Sequence, residues 1–142
     1  MSDRYFVDTN ILMHAHDASA GAKHDRARAV VEELWRARCG VVSTQILHEL
    51  CVSLRRKAGR PVDLKTARVI VTDYLSWDVH VNTGESILEA LELEERHRIS
   101  FWDALVIQAA EASGAAVLYS EDLSDGQMYG TVRVVNPLAG PP

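Results

Sequence analysis

Arg4-Tyr5-Phe6-Val7-Asp8-Thr9-Asn10-Ile11-Leu12-Met13 is the stretch that decides the fold, an apolar run broken by Asp-Thr-Asn and then resumed. A brief run of β-branched and aromatic residues suits a buried strand of a parallel sheet. Open α/β sheets place their chemistry outside the carboxyl ends of such strands, so Asp8 stands where a site would be. Asp8, Thr9 or Asn10 can equally cap the helix that follows, because each of these residue types accepts from free N–H groups at a helix start. The stretch alone leaves both readings open.

Outward from it, helical and extended patterns alternate. A short helix or turn is expected from Ile11 to about His16, then a loop, then a helix from about Ala22 to Arg38 closed by Cys39-Gly40. Val41-Val42 is a minimal second strand. Ser43 or Thr44 can cap a helix whose stripe is Ile46, Leu47, Leu50, Cys51 and Leu54. Pro61 is expected to open the next helix, running to Trp77. Val79-His80-Val81 is a third strand, Thr83 caps a helix carrying Ile87, Leu88 and Leu91, and Ser100 starts another that runs to Gly114. Ala115 to Tyr119 and Thr131 to Val135 make a fourth and a fifth strand, and residues 137–142 are expected to be an unstructured tail. The alternation predicts an α/β fold with a mostly parallel sheet of about five short strands and helices on both faces.

A chain of 142 residues suits one domain, here 1–142, and is too short for a barrel of eight βα units. No apolar run reaches membrane-spanning length and no basic-then-apolar leader precedes Asp8, so a soluble, cytoplasmic protein with no membrane partner is expected. Cys39 and Cys51 lie at no metal-ligand spacing and read as buried thiols. The net charge of −5 argues against bulk attraction to nucleic acid, although a metal at an acidic site would invert the local field.

Four acids sit at helix starts, at strand ends or beside apolar stripes: Asp8, Glu49, Asp103 and Asp122. Glu49 flanks the stripe of its helix and reads by itself as solvated. Asp103 has Val106, Ile107 and Ala110 as helical neighbours, and a carboxylate on an apolar face needs a partner. It can instead answer Ser100 in a capping box. Asp122 follows an apolar strand, as Asp8 does, and can also be a turn residue.

The motifs Val7-Asp8-Thr9-Asn10, Ser43 to Leu50, Ile99 to Leu105 and Tyr119 to Leu123, in that order, resemble those of the PIN-domain ribonucleases, above all the VapC-type toxins of bacterial toxin–antitoxin pairs. Val134 to Leu138 resembles the last strand of that family. The resemblance implies a three-layer α/β/α sandwich, a homodimer, and an endoribonuclease dependent on Mg²⁺ or Mn²⁺ whose RNA cleavage is neutralised by a cognate antitoxin. It places Asp8, Glu49, Asp103 and Asp122 in the catalytic, metal-binding set, with Asn10 and Ser120 as polar supports. Ser43 and Thr44 compete for a further supporting role, and Asp125 is close enough in sequence to stand in for Asp122. The residue types agree with that chemistry: hard divalent cations take oxygen ligands, and such an ion can acidify a water and stabilise charge on a phosphodiester. An inhibitor can offer a cation to the same acids, and arginine fits them best.

Other groups invite other readings. His14, His16, Asp17 and His24 could form a histidine metal site, although surface histidines are the simpler reading. Arg55, Arg56, Lys57 and Arg60 complement a helix dipole or contact phosphate. Trp35, Trp77 and Trp102 are expected in the core or a dimer interface rather than stacked on bases. Two rival functions remain: a haloacid-dehalogenase-like phosphatase with Asp8 as nucleophile, which wants a second Asp where Asn10 stands, and a catalytically silent PIN-like module that binds RNA or a partner.

Overall fold

The computed structural model describes residues 3–139. Six strands, β1 (Tyr5–Val7), β2 (Gly40–Ser43), β3 (Asp78–His80), β4 (Val117–Tyr119), β5 (Met128–Tyr129) and β6 (Val132–Val135), form one sheet in the order β3-β2-β1-β4-β6-β5. Neighbours run parallel except β5, which is antiparallel to β6. At the centre Phe6 lies opposite Val41 on one side and Leu118 on the other, all three fully buried. That explains why the β1 run carries no polar alternation: both faces of the strand are covered.

Six helices supply the cover: α1 (Thr9–His16), α2 (Ala22–Ala37), α3 (Thr44–Arg56), α4 (Leu64–Tyr74), α5 (Gly84–His97) and α6 (Phe101–Ala112). The chain steps from β1 to β2 to β3 in one direction, then returns across the sheet to β4. Right-handed crossovers therefore set α1 to α4 over one face and α5 and α6 over the other. The packing agrees, with α1 against α2 and α3, α3 against α4, and α5 against α6. The result is the expected three-layer α/β/α arrangement. No helix among the described residues is long and apolar enough to cross a membrane.

Four local expectations change. The sheet has a sixth strand, because Met128–Tyr129 folds back on β6 through a two-residue turn whose first residue, Gly130, has φ +60°. A two-residue strand is below the length at which alternation registers. Gly40 does not end α2; Arg38 does, in the left-handed region at φ 56°, and Gly40 opens β2 with the Trp77 indole against it. A side chain there would meet the indole at 2.6 Å. α4 starts at Leu64 rather than at Pro61, since the Asp63 carboxylate accepts from Thr66 N at 2.8 Å. A cap that supplies an acceptor prevails over a proline that supplies only φ. Finally, the stretch after 137 is not all tail: Leu138 is buried in the core and its carbonyl accepts from Arg26 Nη1 at 2.9 Å. Residues 140–142 of that tail lie outside the described residues.

Candidate active site

The two central strands carry the site because of how they are connected. After β1 the chain moves toward β2, whereas after β4 it moves toward β6 on the other side. Between β1 and β4 the connections diverge, and in an open α/β sheet that switch point opens a crevice outside the carboxyl ends of the strands. Asp8 follows β1 directly, and Ser120, Glu121 and Asp122 follow β4. A cleft of about 1100 Å³ opens here, and Asp8, Glu49, Asp103 and Asp122 all line it.

Asp8 is the buried member of the four, 8% exposed. Both readings of the opening stretch hold for it at once. Its Oδ1 accepts from Thr9 N at 2.8 Å, capping α1, while Oδ2 accepts from Ser120 Oγ at 2.8 Å. Burial nevertheless pushes its carboxyl up to about 6, with the charges of Glu49 and Asp122 adding to the rise and the two hydrogen bonds opposing it. Asp8 is thus a carboxylate with too few donors for its burial. Glu49 projects from α3 on the exposed side, and Thr9 Oγ1 donates to its Oε1 at 3.0 Å. Thr9 therefore orients two of the acids, one through its N–H and one through its hydroxyl.

Asp103 stands in the first turn of α6. Ser100 Oγ accepts from Asp103 N at 3.1 Å, but the capping box is half made: the Asp103 carboxylate does not answer, and it lines the cleft instead. Asp122 is exposed, with its backbone N–H donated to Ser120 Oγ at 3.2 Å. Ser120 is fully buried and ties the loop after β4 to Asp8. Asp125 points elsewhere, its Oδ1 accepting from Asn136 N at 2.9 Å, and it does not line the cleft. Ser43 and Thr44 separate in the same way. Ser43 is fully buried and caps α3, accepting from Ile46 N at 3.3 Å, whereas Thr44 lines the cleft and donates to Asn82 Oδ1 at 2.9 Å. Asn10 lines the cleft too; Glu121 N donates to its Oδ1 at a long 3.5 Å, and its buried Nδ2 has no partner.

The histidine alternative dissolves into local ties. His14 donates from Nε2 to Glu121 Oε1 at 2.9 Å, His24 from Nδ1 to the His14 carbonyl at 2.9 Å, and His16 Nε2 is hydrogen-bonded to the Tyr74 hydroxyl at 2.8 Å. Asp17 binds the loop after α3 through Gly59 N at 2.9 Å. Of the basic run, Lys57 lines the cleft. Of the three tryptophans expected in the core or a dimer interface, Trp77 is buried, whereas Trp102 is 63% exposed in this chain and lines the cleft. Sequence reasoning also passed over Gln45, His48 and Asn82, which line it as well. Asn82 carried a usable signal, because it follows β3 as Asp8 follows β1.

Among the described residues no three His, Cys, Asp or Glu side chains stand close enough to hold a metal ion by themselves. Mg²⁺ needs no such cage, being held by one or two carboxylates with water and substrate phosphate completing its shell. The donor set suits it: oxygen ligands only, one of them buried and short of positive charge.

The model of the PIN domain matches residues 5–124. The chain belongs to the PIN-domain family. Two solved structures share the fold. One is VapC20 of Mycobacterium tuberculosis, a toxin that cleaves the sarcin–ricin loop, with 25% identity over 83% of this chain and 89% of that one and a TM-score of 0.64. The other is VapBC2 of Rickettsia felis bound to a DNA fragment from its promoter, with 18% identity over 92% and 96% of the two chains and a TM-score of 0.62. No curated protein sequence matches this chain. As a PIN domain, the chain has its four carboxylates at the carboxyl edge of the sheet, drawn from four separate segments.

Proposed function

We propose that this PIN domain is a divalent-metal-dependent endoribonuclease, the toxin of a bacterial type II toxin–antitoxin pair, working as a cytoplasmic homodimer. The observation that carries the reading is the convergence of Asp8, Glu49, Asp103 and Asp122 on one cleft in a chain whose fold is that of VapC20. Asp8 and Asp103 would hold Mg²⁺ or Mn²⁺, with Glu49 and Asp122 beside them. When bound, such an ion supplies charge for a developing phosphorane and an acidified water. The residues do the rest. Thr9 and Ser120 fix the Asp8 oxygens, Thr9 turns Glu49 toward the same space, and Lys57 offers the cleft a cation for an RNA phosphate.

The homodimer is supported by the α4 segment, where Leu64 and the C-cap residue Leu75 are exposed on one side of the helix and a second copy could cover them. An antitoxin is expected to place an Arg or Lys among Asp8, Glu49 and Asp103, competing with the metal for the same oxygens. One titration tests the metal and the antitoxin together. RNA cleavage should require Mg²⁺ or Mn²⁺, stop in chelator, and recover from antitoxin inhibition as the ion is raised. Full cleavage in chelator would overturn the reading.

A further inference from the structure

Besides the acids, the same cleft is lined by groups that metal chemistry does not use. Gln45 N donates to Asn82 Oδ1 at 2.9 Å, and a backbone N–H can only donate. The amide of Asn82 is therefore oriented: its oxygen faces the start of α3, where Thr44 Oγ1 also donates to it, and its Nδ2 faces away with no partner. Gln45 is 7% exposed; its Nε2 reaches the Trp102 carbonyl at 3.4 Å, and its Oε1 has no acceptor role filled. A free donor and a free acceptor, each belonging to a residue that lines the cleft, are costly to leave unpaired. Beside them the Trp102 indole is held edge-on to Phe101 at 5.4 Å between centroids and leaves most of its surface to solvent.

We infer that Trp102, Gln45 and Asn82 form a nucleobase subsite, in which one unpaired base beside the scissile phosphate stacks on Trp102 while its hydrogen-bonding edge meets Gln45 Oε1 and Asn82 Nδ2. Every RNA base presents a neighbouring donor and acceptor to such a pair, and stacking on an aromatic ring with edge contacts is how proteins read unpaired RNA. The shared cleft explains the placement, because Trp102 and Asp103 both line it and a base held on the indole brings its backbone toward the acids. The inference rests on the ribonuclease reading and adds the substrate feature that this part of the cleft selects: an unstacked nucleotide rather than a helix.

The test uses a short single-stranded RNA that the wild-type protein cuts, and the same oligonucleotide with one abasic position at each place around the cut. One abasic position should raise KM at least about fivefold with little change in kcat. Trp102→Ala should raise KM on the intact RNA as much, should show no further loss on that abasic RNA, and should be rescued by Trp102→Phe. Asn82→Asp keeps the acceptor that Gln45 N and Thr44 require, so the fold is retained, and it should weaken the same position alone. Penalties of Trp102→Ala and the abasic position that multiply, or an unchanged KM on the intact RNA, would overturn the subsite. So would a change of oligomeric state in Trp102→Ala with cleavage intact, which would make the indole a protein contact. Absence of RNA cleavage by the wild-type protein would instead bring down the ribonuclease reading on which the subsite depends.

Discussion

Asp8 and Asp17 look alike on paper and behave as opposites in the structure. Each caps a helical segment, and they are 8% and 6% exposed. Asp17 has a donor at every turn: Ser19 Oγ at 2.6 Å, Ser19 N at 3.1 Å, Gly59 N at 2.9 Å and Arg60 N at 3.4 Å. Those bonds, the Ser19 hydroxyl first, hold its carboxyl down at about 2. Asp8 is lifted first by its burial, which two donors only partly offset and two acidic neighbours reinforce, and it sits at about 6. A buried acid whose neighbours satisfy it stitches the chain together. One whose neighbours leave it short can still take up a cation, which is what the proposed metal site asks of it.

The comparison can be broken in several ways. The largest effect is expected on activity: Asp8→Asn and Asp103→Asn should each lower RNA cleavage by about 10³-fold at saturating Mg²⁺ with the circular dichroism spectrum unchanged, since each removes ligand charge and keeps shape. Near-normal kcat in either would return that residue to a capping role. Next in size is stability in chelator. The Asp8 carboxyl is raised in the folded state, so its ionisation costs stability above about pH 6 and costs nothing below about pH 4. Asp8→Asn should therefore be more stable than wild type at pH 8, by up to about 3 kcal/mol, and equal to it near pH 4. Denaturant melts at the two pH values decide it, and a variant destabilised at pH 8 would contradict the assignment.

Asp17→Ala should do the reverse, losing about 2 kcal/mol at pH 7 with kcat unchanged. Its carboxyl is lowered on folding, so the wild-type advantage is complete above about pH 4 and shrinks as pH falls toward 2. A loss of activity at full stability would instead place Asp17 in the chemistry. The smallest effect sharpens the boundary of the site: Asp125→Asn, whose carboxylate serves Asn136 N, should change cleavage less than about twofold. A large loss there would mean that Asp125 reaches the cleft in solution.

Much of this was legible in the sequence. The apolar run at Tyr5 to Val7, ending in a carboxylate, was enough for a buried central strand and for the position of Asp8. Asp103 among Val106, Ile107 and Ala110 showed a carboxylate that its own helix could not satisfy. What sequence periodicity could not carry was contact between distant segments. Locally only Ser19, two residues on, separates Asp17 from Asp8, while Gly59 and Arg60 reach it from 42 and 43 residues away. Trp102 was expected in the core or a dimer interface because its type is usually covered, whereas its exposure depends on how α6 meets the cleft. Met128–Tyr129 was too short to show a period, and Leu138 is a lone apolar residue among Pro, Ala and Gly whose burial depends on a pocket built by the rest of the chain.

The bond between Ser120 Oγ and Asp8 Oδ2 spans 112 positions in the chain. During synthesis β1 and Asp8 emerge well before β4 and the serine that fixes Asp8, which come more than a hundred residues later. Long-range pairing of this kind closes late, as a unit with the segment that completes it. Until then the opening strand has one lateral partner at most, and its aspartate has no fixed orientation. The cleft is thus unfinished until β4 and the loop after it have been made, however early its first aspartate appears.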